Sequence, residues 1–142
     1  MKAMNENEWR KFVMQGTRTG KLATVQDDGQ PHVVPIWFIL DGRDWLFMTG
    51  ENTVKAGNIR RDPRVAINVD DGTFPYSFVT VEGEASILNP APDKFLEIAT
   101  NIAGRYVGAE RAAEYGRRNA VPGELLIRVK PTKILSGVDT AL

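Results

Sequence analysis

Thr49-Gly50-Glu51-Asn52-Thr53-Val54-Lys55-Ala56 is the stretch of this sequence best suited to hold an anion. A strand leads in, a short polar loop follows, and a helix begins near Thr53. The first amides of a helix have no internal partners, and the helix dipole is positive there. A phosphate group docks readily at such a place. Thr49 and Thr53 offer hydroxyls, and Lys55 places a full positive charge on the first turn. Read alone, the same residues also make an ordinary helix cap with a solvated lysine.

Three other groups of residues bear on chemistry. Arg60-Arg61-Asp62-Pro63-Arg64 gathers arginines at the far end of the same helix, where they suit either the helix dipole or an anionic ligand. Val33-Val34-Pro35-Ile36-Trp37-Phe38 is an apolar strand broken by a proline. Unpaired backbone groups beside that break suit the polar rim of a flat heterocycle, although such runs also serve as plain core. Asn101-Ile102-Ala103-Gly104-Arg105-Tyr106-Val107-Gly108 combines an arginine and an aromatic at a helix end. There Tyr106 suits covering a ring and Arg105 suits binding an acid; both also suit packing. His32 reads as a turn or surface residue.

The elements that must position these residues are mainly strands. Asn5 and Glu8 form a capping-box pattern before a first helix over Glu6–Gln15, ended by Gly16. Strands are expected over Gly20–Gln26, His32–Leu40 and Trp45–Thr49, joined by turns at Asp27-Asp28-Gly29 and Asp41-Gly42. A short helix over Thr53–Arg61 stops at Pro63. Arg64–Asp70 and Phe78–Leu88 alternate as strands, with Gly83 marking a bulge. Helices follow over Asp93–Val107 and Ala109–Arg117. Glu124–Val129 is the last clear strand, and Lys130–Ser136 extends it past Pro131. About six strands joined by hairpins predict a mainly β protein, an antiparallel barrel with peripheral helices.

Composition narrows the possible functions. The 142 residues suit one domain, here taken as residues 1–142. Lys+Arg and Asp+Glu each total 18, so there is no basic excess to mark a nucleic-acid binder. The absence of cysteine removes disulfides and thiolate chemistry, and a single histidine argues against a histidine metal cluster or a serine–histidine triad. No apolar run approaches the roughly 20 residues of a membrane span, and MKAMNENEWRK lacks a signal-peptide core. A cytoplasmic protein without nucleic-acid or membrane partners is the expectation.

In order along the chain, TGKLATVQDDGQPHVVPIWF, LFMTGENTVKAGNIRRDPRVAINV and FVTVEGEA resemble the pyridoxamine 5′-phosphate oxidase-like split-barrel superfamily. The likeness is strongest over Thr19–Leu88. NIAGRYVGAERAAEYGRRN and GELLIRVKPTKIL are closer to its deazaflavin-dependent branch, the oxidoreductases that use coenzyme F-420. The resemblance implies a six-stranded antiparallel split barrel and a homodimer with the cofactor at its interface. It assigns Thr49, Thr53, Lys55 and Ala56 to phosphate binding, and Val34, Pro35, Ile36 and Trp37 to the strand flanking the tricyclic ring. It makes Phe78 a residue reaching the partner's site. Asn58 and Arg61 join the cofactor residues, and Trp37, Phe78, Arg105 and Tyr106 the substrate pocket. Two departures stand out. No arginine follows Arg128, which disfavours vitamin B6 oxidation, and Val54 stands where the oxidases carry an arginine, which weakens the FMN-phosphate reading and leaves the deazaflavin branch ahead. The activity implied is hydride transfer from reduced F-420 to an unsaturated carbonyl or quinone-like acceptor. An FMN-dependent oxidoreductase is the alternative, and a non-catalytic flavin or haem carrier is the second.

Overall fold

The computed structural model describes residues 2–142. Helix α1 (Glu6–Val13) carries the capping box foreseen from its sequence: the Asn5 side chain accepts from the Glu8 amide at 2.9 Å, and the Glu8 carboxylate accepts from the Asn5 amide at 3.0 Å. Its inner face buries Trp9 and Val13. Burying these two side chains contributes roughly 2–3 kcal/mol each. Trp9 stacks on Trp45, with ring centroids 6.3 Å apart, and Trp45 stacks on Phe38 at 4.4 Å.

The strands are β1 (Gly20–Val25), β2 (Pro31–Ile36), β3 (Phe38–Asp41), β4 (Asp44–Gly50), β5 (Arg64–Asp71), β6 (Ser77–Leu88) and β7 (Glu124–Gly137). They form one curled antiparallel sheet in the order β2-β1-β5-β6-β7-β4-β3. The long strand expected over His32–Leu40 divides at Trp37 into β2 and β3. Its two halves end up at opposite edges of the sheet. One bent strand therefore joins the two edges through Trp37, which is how six expected strands become seven in a split barrel. Pro31 and Pro35 both fall on edge strand β2, where a missing amide costs no central ladder bond.

Alternation sends Leu22, Ile67, Val69, Val79, Val81, Ile127 and Val129 inward to a single core with Phe38, Trp45 and Phe47. Gly83 sits at the register shift between β6 and β7. A Cβ there would stand 2.7 Å from the Lys130 carbonyl oxygen, so only glycine permits this approach. Helix α2 (Val54–Arg61) packs on β1 and β4. Helices α3 (Pro92–Val107) and α4 (Ala109–Asn119) form a hairpin, and α3 reaches β3. No helix among the described residues is long and apolar enough to cross a membrane.

Candidate functional site

The edge where β2 passes into β3 faces the start of α2 across a cleft of about 290 Å³. Pro35, Ile36 and Trp37 line it together with Lys55 and Met48. Ala99, Ile102 and Asn119 from the α3–α4 hairpin and Glu124 from the start of β7 complete it. Residues distant in the sequence meet here because β4 pairs with β7, setting Gly50 opposite Glu124.

At the phosphate-like end, Thr53 is the N-cap of α2 and accepts from the Ala56 amide at 3.3 Å. Thr53 also donates to the Gly50 carbonyl at 2.9 Å, and the buried Thr49 hydroxyl meets Thr53 at 2.7 Å. This pair rigidifies the turn leading into the helix. The amides of Val54 and Lys55 make no hydrogen bond among the described residues, and Lys55 forms no ion pair there. Two free amides and a free ammonium at a helix start are a receptor for an anion.

Trp37 is the aromatic wall. It is 38% exposed on one side, and on the other it stacks flat on Tyr106, with centroids 5.0 Å apart and planes 6° apart. The Tyr106 hydroxyl is held by the Phe38 amide at 3.2 Å and by the Arg18 carbonyl at 3.0 Å. Tyr106 thus supports the wall from behind. Burial pushes its phenol above the ordinary tyrosine range, which keeps it a neutral donor.

Several expected ligands serve the fold instead. Arg105 suits acid binding by residue type, but its guanidinium donates to the carbonyls of Gly16, Phe38, Val13 and Arg18 and to the Met14 sulfur. Those five bonds use all five guanidinium donors, so none is left for a substrate acid. The Asn58 amide donates to Thr24 at 2.9 Å and its oxygen accepts from Arg61, so this buried residue ties α2 to β1. Arg61 also donates to the Val25 carbonyl, and Arg60 to the Glu51 carbonyl at 2.8 Å. Ala56 is fully buried and its amide is already capped. Val34 pairs with Leu22 and does not line the cleft. Phe78, expected to reach a partner's site, lies between Asp70 and Gly137 and does not line the Lys55 cleft of its own chain.

Glu124 is the charged cleft residue that sequence reasoning missed, along with Met48, Ala99, Ile102 and Asn119. It shares the cleft with Lys55, and burial holds its carboxyl above the ordinary glutamate value while the Lys55 charge pulls the other way. Its neighbourhood depends on β4–β7 pairing, for which the local sequence carries no signal. A second cleft of about 520 Å³ shares Asn119 and Glu124 and runs on past Gly50–Thr53 to Arg118.

Solved structures share this architecture. A conserved hypothetical protein from Mycobacterium tuberculosis superposes with a TM-score of 0.82 at 29% identity, over 97% of this chain and 87% of that one. A protein called an F-420 reductase superposes at 0.67 with 28% identity, over 88% of this chain and 94% of its own. The haem storage protein of Vibrio cholerae superposes at 0.70 with 19% identity, over 93% and 94% of the two chains, a likeness of fold alone. Residues 6–136 match the family model for pyridoxamine 5′-phosphate oxidase, and with its split barrel the chain belongs to that family of flavin-binding oxidoreductases.

Proposed function

We propose that this protein binds coenzyme F-420 in the Trp37–Lys55 cleft and reduces a small organic acceptor, such as an unsaturated carbonyl or quinone-like compound. The observation that carries this reading is that one cleft is lined by both a pinned aromatic side chain and a free cation at a helix start. The likeness to an F-420 reductase at 28% identity supports it. The bound coenzyme would supply the hydride, since the chemistry resides in the cofactor.

The protein's own residues bind and orient. Lys55 and the amides of Val54 and Lys55 neutralise a phosphate oxygen. Trp37, braced by Tyr106, offers its open face to a flat ring. Edge strand β2 has backbone groups without ladder partners beside Pro35 and Ile36, and these suit the polar rim of that ring. Apolar Ile36, Met48, Ala99 and Ile102 keep water from the ring face. The cleft residues include no acid–base pair beyond Lys55 and Glu124, which fits hydride transfer without a dedicated protein base.

The reading includes a homodimer and a cytoplasmic setting. Val33, Ala23, Ala66, Thr80 and Leu135 share the outer sheet face by register, with Val33 60% and Leu135 52% exposed. A second copy on that face would cover these apolar side chains and gives Phe78, on the same face, a route to the neighbouring site. Light scattering at micromolar concentration checks this, and a strict monomer overturns it.

The deciding experiment for the cofactor uses protein made in a host without deazaflavin, titrated separately with F-420 and FMN. Tight F-420 binding with reduction of an enone is expected. Tight FMN binding without F-420 binding overturns the reading in favour of an FMN enzyme on the same scaffold. Cofactor binding without turnover across a panel of acceptors would make the protein a carrier.

A further inference from the structure

We propose that Glu124 is a specificity-determining residue that lets this end of the cleft accept a phosphodiester, with one negative charge, and reject a terminal phosphomonoester. The inference rests on the Lys55 cleft being the phosphate end, as argued above, and adds which kind of phosphate it takes.

Charge is the first argument. Lys55 is the one cation lining the cleft, and Glu124 lines it too. The neighbouring Arg60 and Arg61 line neither this cleft nor the adjoining one, and each is directed at the protein, Arg60 to the Glu51 carbonyl and Arg61 to the Val25 carbonyl and Asn58. The adjoining cleft adds Arg118 but also Glu51. A phosphomonoester carries about −1.5 to −2 charges at pH 7, whereas a diester carries one. The second charge of a monoester meets a carboxylate here and no second cation, and like charges at close range oppose binding.

Space is the second argument, and it is independent of charge. A monoester ends at its phosphate, while a diester continues beyond it. The cleft does not end at Lys55. It adjoins the roughly 520 Å³ cleft beside Gly50–Thr53, with Glu124 and Asn119 at the junction. Gly50 lies at that junction, where a Cβ would stand 3.2 Å from the Glu124 carboxylate. FMN ends in a phosphomonoester, and coenzyme F-420 carries its phosphate as an internal diester. Glu124 therefore separates the two cofactors at the phosphate, away from the ring.

The test measures F-420 and FMN affinities of the wild-type protein, Glu124→Gln and Glu124→Ala at pH 8, with thermal melts confirming the folded state. Wild type should bind F-420 at least tenfold more tightly than FMN. Both variants should bind FMN at least tenfold more tightly than wild type does, with F-420 affinity changed less than threefold. Variants that leave FMN affinity unmoved, or shift both ligands alike, overturn the role of Glu124 while leaving the cofactor site intact. If no form of the protein binds either ligand, the cofactor site itself fails and this inference fails with it.

Discussion

Arg105 and Lys55 both sit at helix ends in this protein and do opposite things. Arg105, at the end of α3, has all five donors engaged by backbone carbonyls and a sulfur drawn from α1, the α1–β1 connection and β3. Lys55, at the start of α2, has no protein partner among the described residues and faces a cleft. Both look like ligand-binding candidates by residue type. The difference is in what surrounds them: Arg105 is pulled into a nest of acceptors that would otherwise be orphaned, and Lys55 sits beside the unbonded amides of a helix start in a cleft, hydrogen-bonded to none of the described residues. A satisfied cation fastens the fold, and an unsatisfied one waits for an anion.

The largest effect expected from this contrast is on stability. Arg105→Ala strands several carbonyls near the end of α1 and should cost about 3 kcal/mol in urea unfolding, with cofactor affinity of the remaining folded protein within threefold of wild type. A stable variant with lost affinity would reverse the roles assigned to the two cations. Trp37→Ala comes next. Losing its stack on Tyr106 should cost about 1 kcal/mol of stability and weaken F-420 binding several-fold, measured by fluorescence titration.

Glu124 sharpens the contrast through pH. Burial raises its folded-state pKa above the ordinary 4.5, so the stability linked to its proton is full below 4.5 and is lost as pH rises through the folded value. Glu124→Gln should therefore be more stable than wild type at pH 8, by less than about 1 kcal/mol after solvent screening, and the gain should vanish near pH 4.5. A constant difference across that range would contradict the assignment. The smallest effect concerns Asp62, whose carboxylate accepts from the Arg64 side chain and amide and is held down to about 2. Its contribution is present above 3.8 and is lost as pH falls toward 2, so Asp62→Asn should flatten only the acid limb of the melting curve.

What could be read from the sequence is what depends on neighbours in the chain. The capping box at Asn5 and Glu8, the N-cap at Thr53 and the bulge at Gly83 all announce themselves within a few residues. Pro35 signals an edge strand for the same reason. The break at Trp37 is not legible, because it arises from closing the sheet and not from any local breaker. Nor is the fate of Arg105, whose acceptors Val13 and Phe38 lie 92 and 67 positions away. Asn58 reads as a polar helix residue, and only the fold supplies Thr24 as its buried partner. Glu124 reads as the unremarked first residue of a strand until β4 and β7 pair.

The account turns on Lys55, and Lys55→Ala tests it most directly. Alanine is a good helix former and Lys55 makes no internal bond, so the melting temperature should move by no more than about 2 °C. F-420 affinity, measured by calorimetry on the same samples, should fall at least tenfold, or about 1.4 kcal/mol. An unchanged affinity in a protein that melts normally would contradict the claim that this helix start holds the phosphate.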